Sequence, residues 1–269
     1  MRLDLRVLSV ACAAVLLTAC GDVVLGFSGS PYQEDFHYSY PLSAQGRVTI
    51  QNFNGSVEIS GWDQNNVEID GTKYARSQQE LSGLKVEIDS SADAIAIRTV
   101  RPPDYFRNGG VRYTIHVPRR AELEEVSSSN GPIRVDTIDG SVHLRTSNGP
   151  IHASGIGGNL DAATSNGPIH ISDLTGRADV HTSNGPIDLT MNQPREVRAA
   201  TSNGAISVHL PENSGYDVRA RTSHGSITSD FDMSLRGRIA RNNLDGTIGS
   251  GGPLLDLSTS NGAIRLLKL

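Results

Sequence analysis

Cysteine is almost missing: Cys12 and Cys20 are the two in 269 residues, so the disulfide framework that staples many small exported folds is not available here. Aromatic residues make up 5% of the chain, and lysine occurs three times, at Lys73, Lys85 and Lys268. Nearly all cationic charge is therefore arginine. At a net charge of −5 there is no basic surplus to build a nucleic-acid interface. The apolar run Val7 to Leu17 is too short for a permanent bilayer span. No P-loop, dinucleotide fingerprint, nucleophile elbow or metalloprotease helix motif occurs.

What the chain has instead is a repeat. Ser-Asn-Gly-Pro-Ile stands at residues 129–133, 147–151, 165–169 and 183–187, which gives three intervals of 18 residues. Looser copies continue the series at intervals of 16 to 21: Ser202-Asn203-Gly204-Ala205-Ile206, Ser223-His224-Gly225-Ser226-Ile227, Leu244-Asp245-Gly246-Thr247-Ile248 and Ser260-Asn261-Gly262-Ala263-Ile264. A period of this size means stacked supersecondary units, none of which can bury its apolar face alone.

Counted from its Asn, each repeat has apolar residues at positions 4, 6, 13 and 15 and a further one at 9. In the first coil these are Ile133, Val135, Val142, Leu144 and Ile138; in the next, Ile151, Ala153, Leu160, Ala162 and Ile156. The i, i+2 pairs are strand periodicity, so each unit reads as two short strands and two turns. Asn and Gly at positions 1 and 2 are the residues most tolerant of positive φ. The pairs Asn130-Gly131, Asn148-Gly149, Asn166-Gly167, Asn184-Gly185, Asn203-Gly204 and Asn261-Gly262 are accordingly expected to be left-handed structural corners. Proline after them marks the strand boundary. Gly140, Gly158 and Gly176 supply a second corner, which predicts two flat faces rather than the three sides of a hexapeptide helix. Position 17 is threonine in most coils (Thr146, Thr164, Thr182, Thr201, Thr222, Thr259) and points inward by alternation, so a ladder of stacked hydroxyls is expected.

The predicted fold is all-β: a flattened β-solenoid of about 18-residue, two-strand coils behind an N-terminal β-sheet cap. The cap spans 43–125 and the repeats 126–269. Strands are expected around Val48, Val57, Val67, Val86, Ile95 and Tyr113, with a short helix near 76–82. Larger side chains, Phe53, Trp62, Tyr74, Tyr105, Phe106 and Tyr113, concentrate in the cap. At the far end Arg265 and Lys268 on the last strand are expected to guard an open edge.

Residues 1–19 have the form of a targeting segment, with Arg2 and Arg6 ahead of the apolar run and small residues before Cys20. Leu17-Thr18-Ala19-Cys20 resembles the lipobox of bacterial lipoproteins. That resemblance implies cleavage before Cys20, acylation of its thiol and, with Gly21 following, sorting to the outer membrane. Residues 20–42, with no clear period, would then be the lipidated end and a tether. The Asn-Gly-x-Ile/Val coils, the segment Phe53-Asn54-Gly55-Ser56-Val57-Glu58-Ile59-Ser60-Gly61-Trp62 and Tyr113-Thr114-Ile115-His116-Val117-Pro118 resemble the DUF4097 family over about residues 43–269. These β-strand-repeat proteins are named as adhesins from their shape, and the resemblance transfers no catalytic residue.

Chemistry could come only from the outward columns. Position 14 of successive coils supplies His143, Asp161, Asp179, Arg198 and Arg219, and position 16 supplies Arg145 and His181. His143, Asp161, Asp179 and His181 could share a patch able to hold a divalent cation, although alternating charges more simply solvate a flat sheet. On the opposite face position 5 gives Arg134, His152, His170, Asp188 and Ser207. The favoured expectation is a non-catalytic envelope lipoprotein with no cofactor and no metal. Its partners would be the membrane, through the N-terminal lipid, and an envelope protein or polysaccharide. The alternatives are a carbohydrate-active enzyme built on Asp161, Asp179 and Arg198, or a metal-dependent envelope sensor.

Overall fold

The computed structural model describes residues 32–101, 109–235 and 242–269. The targeting segment, Cys20 and the first part of the expected tether lie outside these residues, as do Tyr105 and Phe106. In chain order the front strands are β1 (Tyr32–Pro41), β2 (Arg47–Asn54), β3 (Val57–Trp62), β4 (Asn66–Ala75), β5 (Lys85–Ser90), β6 (Ala94–Val100) and β7 (Gly110–Pro118), with helix α1 (Gln78–Gly83) before β5. The coils follow as β8 (Glu122–Asn130), β9 (Ile133–Ile138), β10 (Val142–Asn148), β11 (Ile151–Ile156), β12 (Leu160–Asn166), β13 (Ile169–Leu174), β14 (Ala178–Asn184), β15 (Ile187–Met191), β16 (Val197–Asn203) and β17 (Ile206–Leu210). The chain ends with β18 (Tyr216–His224), β19 (Ile227–Ser229), β20 (Met233–Leu235), β21 (Asn243–Ile248), β22 (Leu254–Asn261) and β23 (Ile264–Lys268).

Two long sheets face each other. One runs β1-β4-β7-β3-β9-β11-β13-β15-β17-β23-β19, the other β20-β21-β18-β22-β16-β14-β12-β10-β8-β2-β6-β5. In the coils the pairing is parallel and in register, with Val142, Leu160 and Ala178 opposite one another in successive layers. In the three 18-residue coils positions 4, 6, 9, 13 and 15 are all buried and belong to one continuous core between the sheets. Full burial of each valine, leucine or isoleucine contributes roughly 1.5–3 kcal/mol. The sheets run without a break across residue 126, because β2 pairs β8 in parallel and sets Asn54 opposite Asn130. The early Asn54-Gly55 pair is thus the first corner of the same stack.

Position 9 breaks the inward alternation for a local reason. The residue before it, position 8, is left-handed: Thr137 has φ 63°, Gly155 64° and Asp173 55°. A single left-handed residue turns the chain by one side-chain phase, so Ile138, Ile156 and Leu174 face the core instead of solvent.

The Asn-Gly corner differs from its expectation. Thr137 and Asp173 are the non-glycine residues of positive φ among those described, so the corner asparagines are not left-handed. They end strands. Their side chains instead stack as an amide ladder, in which Nδ2 of Asn130, Asn148, Asn166, Asn184, Asn203 and Asn261 donates to Oδ1 of the asparagine one layer away, at 2.7–2.9 Å. At position 2 the expectation of positive φ holds for Gly131, Gly167 and Gly185, at 147°, 157° and 154°, and proximity demands glycine as well. A Cβ on Gly149 would collide with the carbonyl oxygen of Gly131, and one on Gly204 with that of Gly185. Proline fits next because the ladder uses the N–H groups on either side of it: Gly149 N donates to Asn166 O and Ile151 N to Pro168 O.

The threonine column is inward and buried, but its hydroxyls do not bond one another. Each donates to a corner glycine carbonyl: Thr146 to Gly131 O at 3.3 Å, Thr164 to Gly149 O and Thr182 to Gly167 O at 3.2 Å close their own coils, whereas Thr222 reaches Gly262 O and Thr259 reaches Gly204 O, both at 2.9 Å.

Three further expectations are corrected. Residues 32–41 are not tether: β1 pairs antiparallel with β4 from Tyr32 opposite Ala75 to Pro41 opposite Asn66. Its Phe36 ring covers Gly71 and meets Tyr113 edge-on at 6.0 Å. Second, Leu244 to Ile248 are no coil corner, since β21 runs antiparallel to β18. Third, the last strand is not an edge. β22 lies between β16 and β18, and β23 between β17 and β19, so Arg265 and Lys268 guard nothing.

Candidate interaction surface

The outward side chains stand in straight rows on the two faces, one row per strand position. On the sheet containing β10 to β16, His143 is opposite Asp161, Asp161 opposite Asp179, and Asp179 opposite Arg198, whose guanidinium lies 3.8 Å from the Asp179 carboxylate. Beyond Arg198 the inserted β22 places Asp256, and only then comes Arg219. The expected Arg198–Arg219 neighbourhood therefore does not exist. The insertion separates two like charges by an opposite one, where direct opposition would be destabilising.

His181 sits one row away, flanked by Ala163 and Ala200. The structure places His143, Asp161, Asp179 and His181 on one face but does not gather them. Among the described residues, the set of three or more His, Cys, Asp or Glu whose ligand atoms all lie within 4.8 Å is Glu68, Asp70 and His116, in the front strands. Asp161, Asp179 and Arg198 likewise stand in line along a flat sheet, and Asp179 is engaged with Arg198.

On the other face the row reads Arg134, His152, His170, Asp188, Ser207 and Arg265. Asp188 lies 3.4 Å from Nδ1 of His170 and 3.2 Å from Nε2 of His209. The His152 and His170 rings are 6.1 Å apart. Burial, the Arg134 guanidinium and His170 together hold the His152 imidazole below its usual pKa, with Asp136 acting weakly in the opposite sense. The corner between the faces carries the asparagine ladder, which sequence reasoning did not identify; the signal was the identity of position 1 in six coils, read as backbone conformation rather than as side-chain bonding.

A two-sheet parallel solenoid with flat, row-patterned faces defines the class of this protein. The chain belongs to the Toastrack DUF4097 family, whose model matches residues 42–267. Among solved structures it is similar to a candidate adhesin from Bacteroides fragilis, at 13% identity and a TM-score of 0.46, covering 88% of this chain and 97% of that one. A candidate cell adhesion protein from Clostridium sporogenes shares 12% identity at a TM-score of 0.40, over 88% and 100% of the two chains. A candidate lipid-binding protein from Parabacteroides distasonis shares 15% identity at 0.40, over 90% and 98%. Comparison with curated proteins finds no match.

Proposed function

We propose that this protein is a non-catalytic lipoprotein of the cell envelope, acylated at Cys20, held on the outer membrane, and displaying its flat solenoid faces to an envelope protein or polysaccharide. The observation that carries this reading is the unbroken row pattern. From β10 to β16 on one sheet and from β9 to β13 on the other the outward positions repeat in register, the shifts being confined to the β8–β10 and β13–β15 pairs, and no long insertion interrupts the coils to wall off a cleft. A surface of this kind repeats contacts at the strand spacing of about 4.8 Å, which suits an extended partner better than a small substrate. No helix among the described residues is long and apolar enough to cross a membrane, so attachment is assigned to the lipid. In this reading residues 43–125 close one end of the stack and 126–269 form the display surface.

Membrane fractionation tests the anchor. Wild type should pellet with the envelope, and Cys20→Ser should be released or remain unprocessed, because each buried acyl CH₂ contributes about 0.8 kcal/mol. Identical pellets for the two proteins overturn the lipoprotein assignment. Crosslinked pull-down from envelope extract tests the display surface. Retention of a polysaccharide or envelope protein that is lost when Arg134 and Arg198 are replaced by glutamate supports it, and turnover of a polysaccharide by the purified protein sinks it.

A further inference from the structure

We propose that Glu68, Asp70 and His116 form a binding site for one divalent transition-metal ion on the outer face of the front strands. The site does not rest on the lipoprotein or display reading.

The pairing of β4 with β7 is antiparallel and sets Glu68 opposite His116. Asp70, two residues along β4, projects to the same face. One ligand atom from each of the three lies within 4.8 Å of the other two. Two carboxylate oxygens and one imidazole nitrogen are the donors of an open zinc-type site, with the fourth position left to water. The imidazole favours a transition ion over calcium or magnesium, which take oxygen ligands.

The surroundings hold the three side chains in place. The His116 ring stacks on Trp62 with centroids 5.2 Å apart and planes at 26°, and Trp62 is itself pinned by Nε1 donating to Asn66 O at 3.0 Å. Nδ1 of His116 is buried and has no hydrogen-bond partner among the described residues. A buried ring nitrogen without a partner is uncommon, and it leaves the imidazole with bonding capacity unused. On the other side, His37 Nδ1 from β1 lies 2.7 Å from Asp70 Oδ1, the kind of outer contact that orients a ligating carboxylate. Glu68 and His116 are half-buried, whereas the Asp70 side chain is 50% exposed and leaves a route for the ion.

Among the described residues the repeat faces offer no equivalent. There His181 is flanked by alanines and Asp179 is engaged with Arg198. The front strands are non-repetitive and antiparallel, so three different donors can meet.

Calorimetric titration of the full chain in detergent with zinc chloride should show one ion bound per chain, and cobalt(II) should give the visible absorption of a low-symmetry four-coordinate site. Glu68→Gln and Asp70→Asn should each weaken zinc binding at least tenfold, and His37→Ala should weaken it less. His181→Ala on the repeat face should leave it unchanged. Circular dichroism without metal establishes which variants fold, and either carboxamide variant suffices for the comparison. Absence of stoichiometric binding in the wild type overturns the proposal, as does affinity preserved in a folded Glu68→Gln or Asp70→Asn, or affinity lost in His181→Ala.

Discussion

Asn148 Nδ2 donates to Asn130 Oδ1 across 2.9 Å, one step of a ladder that runs from Asn54 to Asn261 through seven asparagines. Each interior amide both gives and receives one bond, so an aspartate in the series loses its donor and places oxygen against oxygen. Asn166→Asp should lower stability by about 1 kcal/mol at neutral pH. Relative to wild type, the deficit should shrink below about pH 3.9, where a protonated carboxyl can donate again. Denaturant titrations of both proteins at neutral pH and below that value check this; an equal deficit at both would mean that the ladder bond contributes nothing.

Glycine is needed at the Asn-Gly corner, as it is at Gly158 and Gly176, but not at the left-handed position 8. Gly149→Ala forces a Cβ onto the Gly131 carbonyl and should cost roughly 1–3 kcal/mol, as overpacking does. Gly155 is left-handed but has room beside it, since a Cβ there would lie 3.5 Å from its nearest non-local atom, and Asp173 occupies the equivalent position one coil on. Gly155→Asp should therefore cost about 1 kcal/mol or less. Thermal melts of the two variants should separate by several degrees; similar melting points would remove the collision argument.

Thr182 is fully buried and donates to Gly167 O at 3.2 Å. Thr182→Val keeps the volume and takes the donor from the half-buried Gly167 carbonyl, at a cost of about 1–3 kcal/mol. Thr182→Ser keeps the hydroxyl and loses one methyl, about 1 kcal/mol. If the valine variant melts at or above the serine one, the hydroxyl bond is not what closes the coil.

His152 supplies a pH dependence. Its pKa is lowered in the fold by burial first, then by Arg134 and His170. The unfolded chain therefore binds the proton more readily, and stability rises with pH across the window just below the unfolded value of about 6.5. On acidification through that window the melting temperature should fall. His152→Gln, with no proton to take up, should flatten that part of the profile, and an unchanged slope would assign the acid sensitivity elsewhere.

Much of this architecture was legible in the sequence because a repeat imposes its own evidence: a side chain that must face inward does so in every coil. Positions 4, 6, 13 and 15 read as strand periodicity, and Ile133, Val135, Val142 and Leu144 are buried as that periodicity requires. The helix near residue 78 was legible too, since Ser77 Oγ accepts from Glu80 N at 3.2 Å, as a serine three residues before a glutamate predicts. The front edge was misread because Phe36, Tyr38 and Tyr40 alternate over too short a stretch to separate a strand from a polar tether.

By itself the sequence determined the coil: its period, its two strands, its inward set and its glycine corners, all of which depend on residues a few positions apart. Only the tertiary structure decided the order in which coils stack. The copies at Asn203, His224 and Asn261 are near-equivalent, and parallel pairing would accept them in any order. The fold takes the last copy inside, where Asn261 continues the amide ladder from Asn203 and Asp256 separates Arg198 from Arg219, and leaves the His224 coil outside. The meeting of Glu68, Asp70 and His116 was likewise decided in three dimensions, because the β4–β7 register joins residues 46 to 48 positions apart, and no local pattern records which strand will lie beside which.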